Sequence, residues 1–364
     1  MSDDETSPGG RDADATGTSP LAVVREVAPG VAFLVVLAVL ARVASTLVPY
    51  ASALVVAVAL GIVLTNTVGV PERLQAGSST HKLWLEAGIV LMGARVSLGT
   101  LVDTGAQLAV LVVGIVALTL VLVEVLARGV FDVHRKLGSL LAAGASVCGV
   151  SAAVGVAGSV RATEEHVAYA AGTILLFDVV TLFTYPALGG VLGLSDRVFG
   201  VWAGLTMFST GPVTAAGFAF SDAAGQWATV TKLTRNLLLG VLVGAYSIRY
   251  ANPGSDDADG APGEDASTAS AFSPRRLWDA FPKFVLGFFA VVVLTSTAVV
   301  SDAATAQLTN AYRWLFLLAF VGLGLSVDVA DLRDTGVTPI ALLLTALVTT
   351  SVVALVAVRA LLGA

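Results

Sequence analysis

The chain has 364 residues, 56% hydrophobic and 13% charged, with a mean hydropathy of +0.87. That composition excludes an ordinary soluble globular domain, and at a net charge of −6 no nucleic-acid partner is expected. Cys148 is the only cysteine, which excludes an intramolecular disulfide and a cysteine-based metal cluster.

Residues 1–27 are polar and acidic (Asp3, Asp4, Glu5, Asp12, Asp14, Glu26). They lack the basic n-region of a secretory signal and read as a disordered tail. Continuous apolar runs of about 20 residues follow, long enough to cross a hydrocarbon core of roughly 30 Å. A β-barrel would instead show short alternating segments, so the fold class is an all-α polytopic membrane protein. About eleven spans are expected. They lie near 28–48, 50–68, 83–100, 105–127, 137–160, 166–191, 198–220, 226–248, 280–300, 308–327 and 337–360. Spans one to eight make a membrane domain over 28–250, and spans nine to eleven make another over 277–364. Between them, 251–276 is an acidic linker with Asp256, Asp257, Asp259, Glu264 and Asp265. Acidic soluble segments and few lysines (Lys82, Lys136, Lys232, Lys283) suggest a high-salt habitat. Basic residues collect on the side of the N-terminus, which the positive-inside rule places in the cytoplasm of a multi-pass cell-membrane protein. The tail and the linker are then cytoplasmic as well.

Span three and span ten end alike. Gly93, Leu101, Asp103, Thr104 and Gly105 match Gly324, Leu332, Asp334, Thr335 and Gly336 at one constant offset. Seven crossings separate the copies, so they have opposite topology, as in the inverted repeats of secondary transporters.

Four consecutive spans place polar groups at one depth. Span five holds the small-residue run Gly144–Ala153, with Ser146, Cys148, Gly149 and Ser151. Gly149 could end a half-helix there, or the run could be a packing seam. Span six holds Asp178. Span seven holds Ser209, Thr210, Gly211 and Pro212, where a proline break would aim backbone amides at an anion. Span eight carries Thr229, Lys232, Arg235 and Asn236 on one face. A charge at that depth costs at least roughly 2.5–3.5 kcal/mol, so Arg235 should face protein or water. It would bind an anion together with Lys232, or pair with Asp178 while Lys232 snorkels to the interface. Spans five and seven lie an even number of crossings apart and would run parallel, unlike the crossed helices of an inverted repeat. Either one is not a full crossing, or one break is only a kink.

The run Gly144-Ala145-Ser146-Val147-Cys148-Gly149-Val150-Ser151-Ala152 resembles the signature of the YeiH-type family, labelled as sulfate exporters. Trp84–Gly93, Arg161–Glu165, Tyr185-Pro186, Phe199–Gly204 and Ala228–Arg235 fit that family in order. The resemblance implies a fold related to the cation/proton antiporter and anion transporter group, with a core domain of broken helices against a panel domain. The chain departs from the family at Met207-Phe208-Ser209-Thr210-Gly211, where relatives often carry a His-Asp pair. Asp178 sits where relatives are usually uncharged.

The expected function is secondary transport of a small anion such as sulfate or sulfite, by alternating access around a midplane site. Ser146, Cys148, Gly149, Ser151, Ser209, Thr210, Gly211, Lys232 and Arg235 are the expected substrate contacts. Asp178 is the expected coupling group, for a proton or sodium. Two alternatives stay open: a cation/proton antiporter using Asp178, and an anion channel. No enzyme activity, cofactor or metal is expected. The partners are the bilayer and a small anion, and a homodimer is compatible with the sequence.

Overall fold

The computed structural model describes residues 20–47, 52–251, 282–297, 300–330 and 336–362. The tail up to residue 19, the linker over 252–281, and Leu332, Asp334 and Thr335 of the second repeat copy lie outside the described residues. Among the described residues every regular element is helical.

The helices are α1 (Pro20–Ser45), α2 (Ala53–Thr67), α3 (Glu72–Ser78), α4 (His81–Met92) and α5 (Leu98–Gly129). They continue with α6 (Arg135–Ser146), α7 (Val150–Ala157), α8 (Glu164–Val191), α9 (Asp196–Thr206) and α10 (Thr210–Phe220). Last come α11 (Asp222–Asn236), α12 (Leu239–Ala251), α13 (Phe284–Ser296), α14 (Asp302–Leu325) and α15 (Val337–Leu362). A 3₁₀ turn, Gly93–Arg95, extends α4. Helix α1 begins inside the stretch read as tail; Pro20 suits a first helical position, whose amide hydrogen has no intrahelical partner. Apolar stretches long enough to cross a membrane lie in α1, α5, α8, α14 and α15, and α2 and α13 are shorter apolar helices.

The helices form two layers. A panel contains α1 to α4, α13 and α14. Helices α4 and α14 carry the matching Gly93 and Gly324 and run antiparallel, with Gly88 against Phe316 and Gly322 against His81. Helix α2 crosses α14 so closely that a Cβ on Gly61 would stand 2.8 Å from Gly324 Cα; a larger residue there would pry the panel open. The second layer, a core of α5 to α12 and α15, meets the panel through ordinary contacts such as Gly211 with Leu85 and Leu323.

Spans five and seven are not crossings. Along the path of α11 and α12, Arg235 reaches Ser146 and Tyr250 meets Ser139 at 2.9 Å, so α6 runs opposite to that path. Gly155 packs on Leu239 and Val243, and Ser159 bonds Ser247 at 2.8 Å, so α7 runs along it. The segment therefore turns back, and His134 before α6 stacks on His166 after α7 at 4.6 Å. The same holds for α9 and α10. Gly200 packs at Ala224 and Gly204 at Thr231, whereas Gly217 packs at Gly225. Phe199 at the start of α9 stacks on Phe220 at the end of α10, at 4.1 Å.

Each pair is thus a re-entrant hairpin of two half-length helices. Hydropathy could not separate this from a crossing, because it measures only the length of an apolar run, and one crossing and two returning halves need similar lengths. Helix α8 crosses fully between them, so the hairpins enter from opposite ends. The parity conflict disappears, the count of eleven crossings is not met, and only the region around 158–195 changes sides. Arg161 then joins the end at which α1 begins, called the near end here, and Arg197 joins the far end.

Candidate functional site

The two hairpin tips touch. The first tip is Val147-Cys148-Gly149, between α6 and α7. Gly149 has φ +68°, a left-handed conformation that glycine adopts without steric penalty, and its amide donates to Gly144 O at 2.9 Å. A Cβ on Gly149 would lie 2.0 Å from Ser209 Oγ. Ser209 ends the second tip, Met207-Phe208-Ser209, between α9 and α10. The break therefore falls just before Thr210 rather than at Gly211-Pro212, and Pro212 sits in the first turn of α10, where its missing N–H leaves no gap.

Helix α11 clamps both tips. Lys232 Nζ donates to Val147 O at 2.8 Å, to Met207 O at 3.1 Å and to Phe208 O. Arg235 Nε donates to Ser146 O at 2.6 Å, Nη1 to Met207 O at 2.7 Å and Gly204 O at 3.3 Å, and Nη2 to Ala145 O. These carbonyls belong to the C-terminal ends of α6 and α9 and the turns beyond them. Such ends carry unpaired acceptors and a partial negative charge that favours a cation. Two cations on one helix face thus let two hairpins end inside the molecule. Lys232 and Arg235 are both 0% exposed.

Of the two readings of Arg235, the ion pair with Asp178 does not form, and Lys232 does not snorkel. Asp178, in the middle of α8, instead accepts the Ser209 amide at Oδ1, at 3.0 Å. Asn236 donates to Thr210 Oγ1 at 3.1 Å. Asp178 Oδ2 and Asn236 Oδ1 are buried and have no hydrogen-bond partner among the described residues.

A cavity of about 470 Å³ lies between the core and the panel at the level of the tips. From the core it is lined by Cys148, Ser151, Asp178, Ser209, Thr210 and Asn236, and from the panel by Glu86, Phe320 and Leu323. His81, Lys82 and Pro282 carry the lining toward the near end. The first residues of α7 and α10 line it as well, so two helix N-termini meet there. Helix N-termini offer unpaired amides and a partial positive charge, a suitable setting for an anion.

Of the residues expected from sequence, Cys148, Ser151, Asp178, Ser209, Thr210 and Gly211 come together in the cavity lining. Gly149 sits at the contact between the tips. Ser146 lies behind it, its hydroxyl on Ala143 O at 3.1 Å. Lys232 and Arg235 are not part of the lining; they stand behind the tips, bound to carbonyls. Sequence reasoning did not count Asn236 among the contacts, although it follows Arg235 on the face already singled out. It also missed His81, Lys82 and Glu86 of the panel, which no local pattern links to the core.

The chain matches the family described as conserved hypothetical protein 698 over residues 29–343. It is 34% identical over 282 residues to a UPF0324 membrane protein of Nitratidesulfovibrio vulgaris, covering 78% of this chain and 76% of the relative. A UPF0324 membrane protein of Corynebacterium glutamicum is 30% identical over 318 residues, covering 87% of this chain and 88% of the relative. One of Clostridium tetani is 27% identical over 326 residues, covering 87% and 92%. No solved structure matches the chain. The extent of these matches, together with the YeiH-type signature at the first hairpin tip, places the chain in the UPF0324 membrane protein family.

Proposed function

We propose that the protein is a secondary transporter of a small anion such as sulfate or sulfite, which binds in the cavity where the hairpin tips meet. The observation that carries this reading is the meeting of the α7 and α10 N-termini, from opposite ends of the molecule, inside one cavity. Amides at these ends, with the hydroxyls of Ser151, Ser209 and Thr210, supply donors for an anion. Lys232 and Arg235 act one layer back: they hold the tips and lend positive charge without touching the substrate. Discontinuous helices at mid-depth suit alternating access. In this reading the core, with its hairpins, moves against the panel, which is locked by the Gly61–Gly324 contact. The near end is cytoplasmic, since Arg25, Arg73, Arg128, Arg135, Lys136, Arg161 and Arg249 gather there.

The test is a flux panel in proteoliposomes with sulfate, sulfite, thiosulfate and small sulfonates. A transporter gives trans-stimulated exchange of at least one anion, reduced by changing Ser209 and Thr210 to Ala together. Flux without trans-stimulation indicates a channel. Proton-linked cation flux with no anion movement indicates the antiporter, a reading favoured only by the presence of Asp178 in the cavity.

A further inference from the structure

Among the described residues, two acceptor oxygens at the site have no hydrogen-bond partner, and they flank the same hairpin tip. Asp178, from α8, accepts the Ser209 amide with one carboxylate oxygen and faces the Ser209 hydroxyl as well, while its other oxygen has no hydrogen-bond partner among the described residues. Asn236, from α11, holds the Thr210 hydroxyl with its amide nitrogen and leaves its carbonyl oxygen unpartnered. Ser209 and Thr210 are consecutive, so the two oxygens approach the tip from neighbouring helices. Asp178 is 2% and Asn236 6% exposed, and both residues line the cavity. Buried acceptors without partners are rare, and a bound ion is one way to satisfy them.

We infer that Asp178 and Asn236 form a binding site for an alkali cation, with Na⁺ the expected occupant, beside the anion position. A proton on Asp178 would satisfy one of the two oxygens; a cation seated at the tip they flank would draw on both, and the hydroxyl oxygens of Ser209 and Thr210 would make up an all-oxygen set of the kind that hard cations prefer. A single carboxylate suits a monovalent ion, and among the described residues no group of three His, Cys, Asp or Glu could hold a metal. Lys232 and Arg235 are the charged neighbours of Asp178, and their donors are engaged by the tip carbonyls. With Asp178 counterbalanced by the cation, the positive charge of both remains for a dianion. Without the cation, Asp178 cancels part of it and the site suits a monoanion. The inference rests on the transporter reading only for the cation's role in coupling; the site itself stands on geometry.

The test is binding of ²²Na⁺ to the purified full-length protein in detergent, by scintillation proximity at fixed pH, with choline as the inert replacement. Saturable binding is expected, displaced by unlabelled Na⁺ and not by choline. Displacement by K⁺ would assign the site to alkali cations in general, and resistance to K⁺ would assign it to Na⁺; both uphold it. Asp178→Asn should abolish binding, and Asn236→Leu should weaken it by at least about tenfold. Asn236→Asp, which keeps an acceptor and adds a second carboxylate, should retain binding, and a wild-type size-exclusion profile for Asp178→Asn shows that its lost binding is not lost folding. No saturable binding to the wild type, or equal binding by Asp178→Asn, overturns the inference. Cation binding without flux of any anion would refute the transporter reading alone, and anion exchange without cation binding would refute the cation site alone.

Discussion

The two hairpins solve one physical problem with different chemistry. Each must end a helix inside the molecule and start another in the reverse direction, leaving backbone groups that lipid cannot satisfy. The first turns on backbone freedom: Gly149 in a left-handed conformation, with its amide returned to Gly144. The second turns without a positive φ and relies on side chains from outside it, Asp178 on the Ser209 amide and Asn236 on the Thr210 hydroxyl. Lys232 and Arg235 serve both. Beyond that shared clamp, the first hairpin turns on its own backbone and the second on side chains of α8 and α11. Polar chemistry accordingly gathers at the second tip.

Gly149→Ala should break this arrangement most severely. The added Cβ meets Ser209 Oγ, and the backbone there costs a non-glycine residue on the order of 1–3 kcal/mol. Loss of monodisperse protein in size-exclusion chromatography is expected. Adding Ser209→Gly should restore part of the yield by removing the clash while leaving the backbone strain. Rescue would confirm that the tips touch; an unperturbed Gly149→Ala protein would show that they do not.

Arg235→Ala comes next. It strands the carbonyls of Ala145, Ser146 and Gly204 that Arg235 now holds, at roughly 1–3 kcal/mol for each one left buried and unpaired, while Met207 O keeps Lys232. A clear drop in thermal midpoint is expected before any substrate is added, and Arg235→Lys should recover little, since one ammonium cannot reach the same spread of acceptors. A variant of normal stability that loses only anion binding would instead make Arg235 a direct ligand.

Asp178→Asn should have a smaller effect on stability, because an amide oxygen can still accept from Ser209. The midpoint should stay near wild type while any Na⁺ dependence of exchange disappears. Cys148→Ala should change least, since it removes a thiol bonded to the backbone of Ala152 and leaves the bonds of Lys232 and Arg235 to the tip in place. In the wild-type protein Cys148 is a ready-made reporter: a membrane-impermeant maleimide should reach it from the near end of the cavity, more slowly when a transported anion is present. Reaction from the far end alone would contradict the direction of the cavity.

Much of this was legible before the structure. The apolar runs located nearly every helix, and depth alone brought Cys148, Asp178, Ser209 and Thr210 to one level. The Gly93 and Gly324 copies marked two helices that do pack antiparallel. What sequence could not convey was direction. A span of small apolar residues reads alike whether it crosses or returns, and only contacts such as Phe199 with Phe220 separate the two. For the same reason Lys232 and Arg235 could not be assigned their carbonyl partners. Their depth was readable, but the carbonyls that hold them exist only after both hairpins have turned.

The hairpins can be tested directly by labelling single cysteines in a Cys148→Ala background with an impermeant maleimide, on sealed right-side-out and inside-out vesicles. Val130→Cys and Gly158→Cys flank the first hairpin; Ser195→Cys and Ala223→Cys flank the second, and all four positions are exposed. Two re-entrant hairpins predict that the first pair labels from one face and the second pair from the other. Labelling of Val130→Cys and Gly158→Cys from opposite faces would contradict them and restore span five as a crossing.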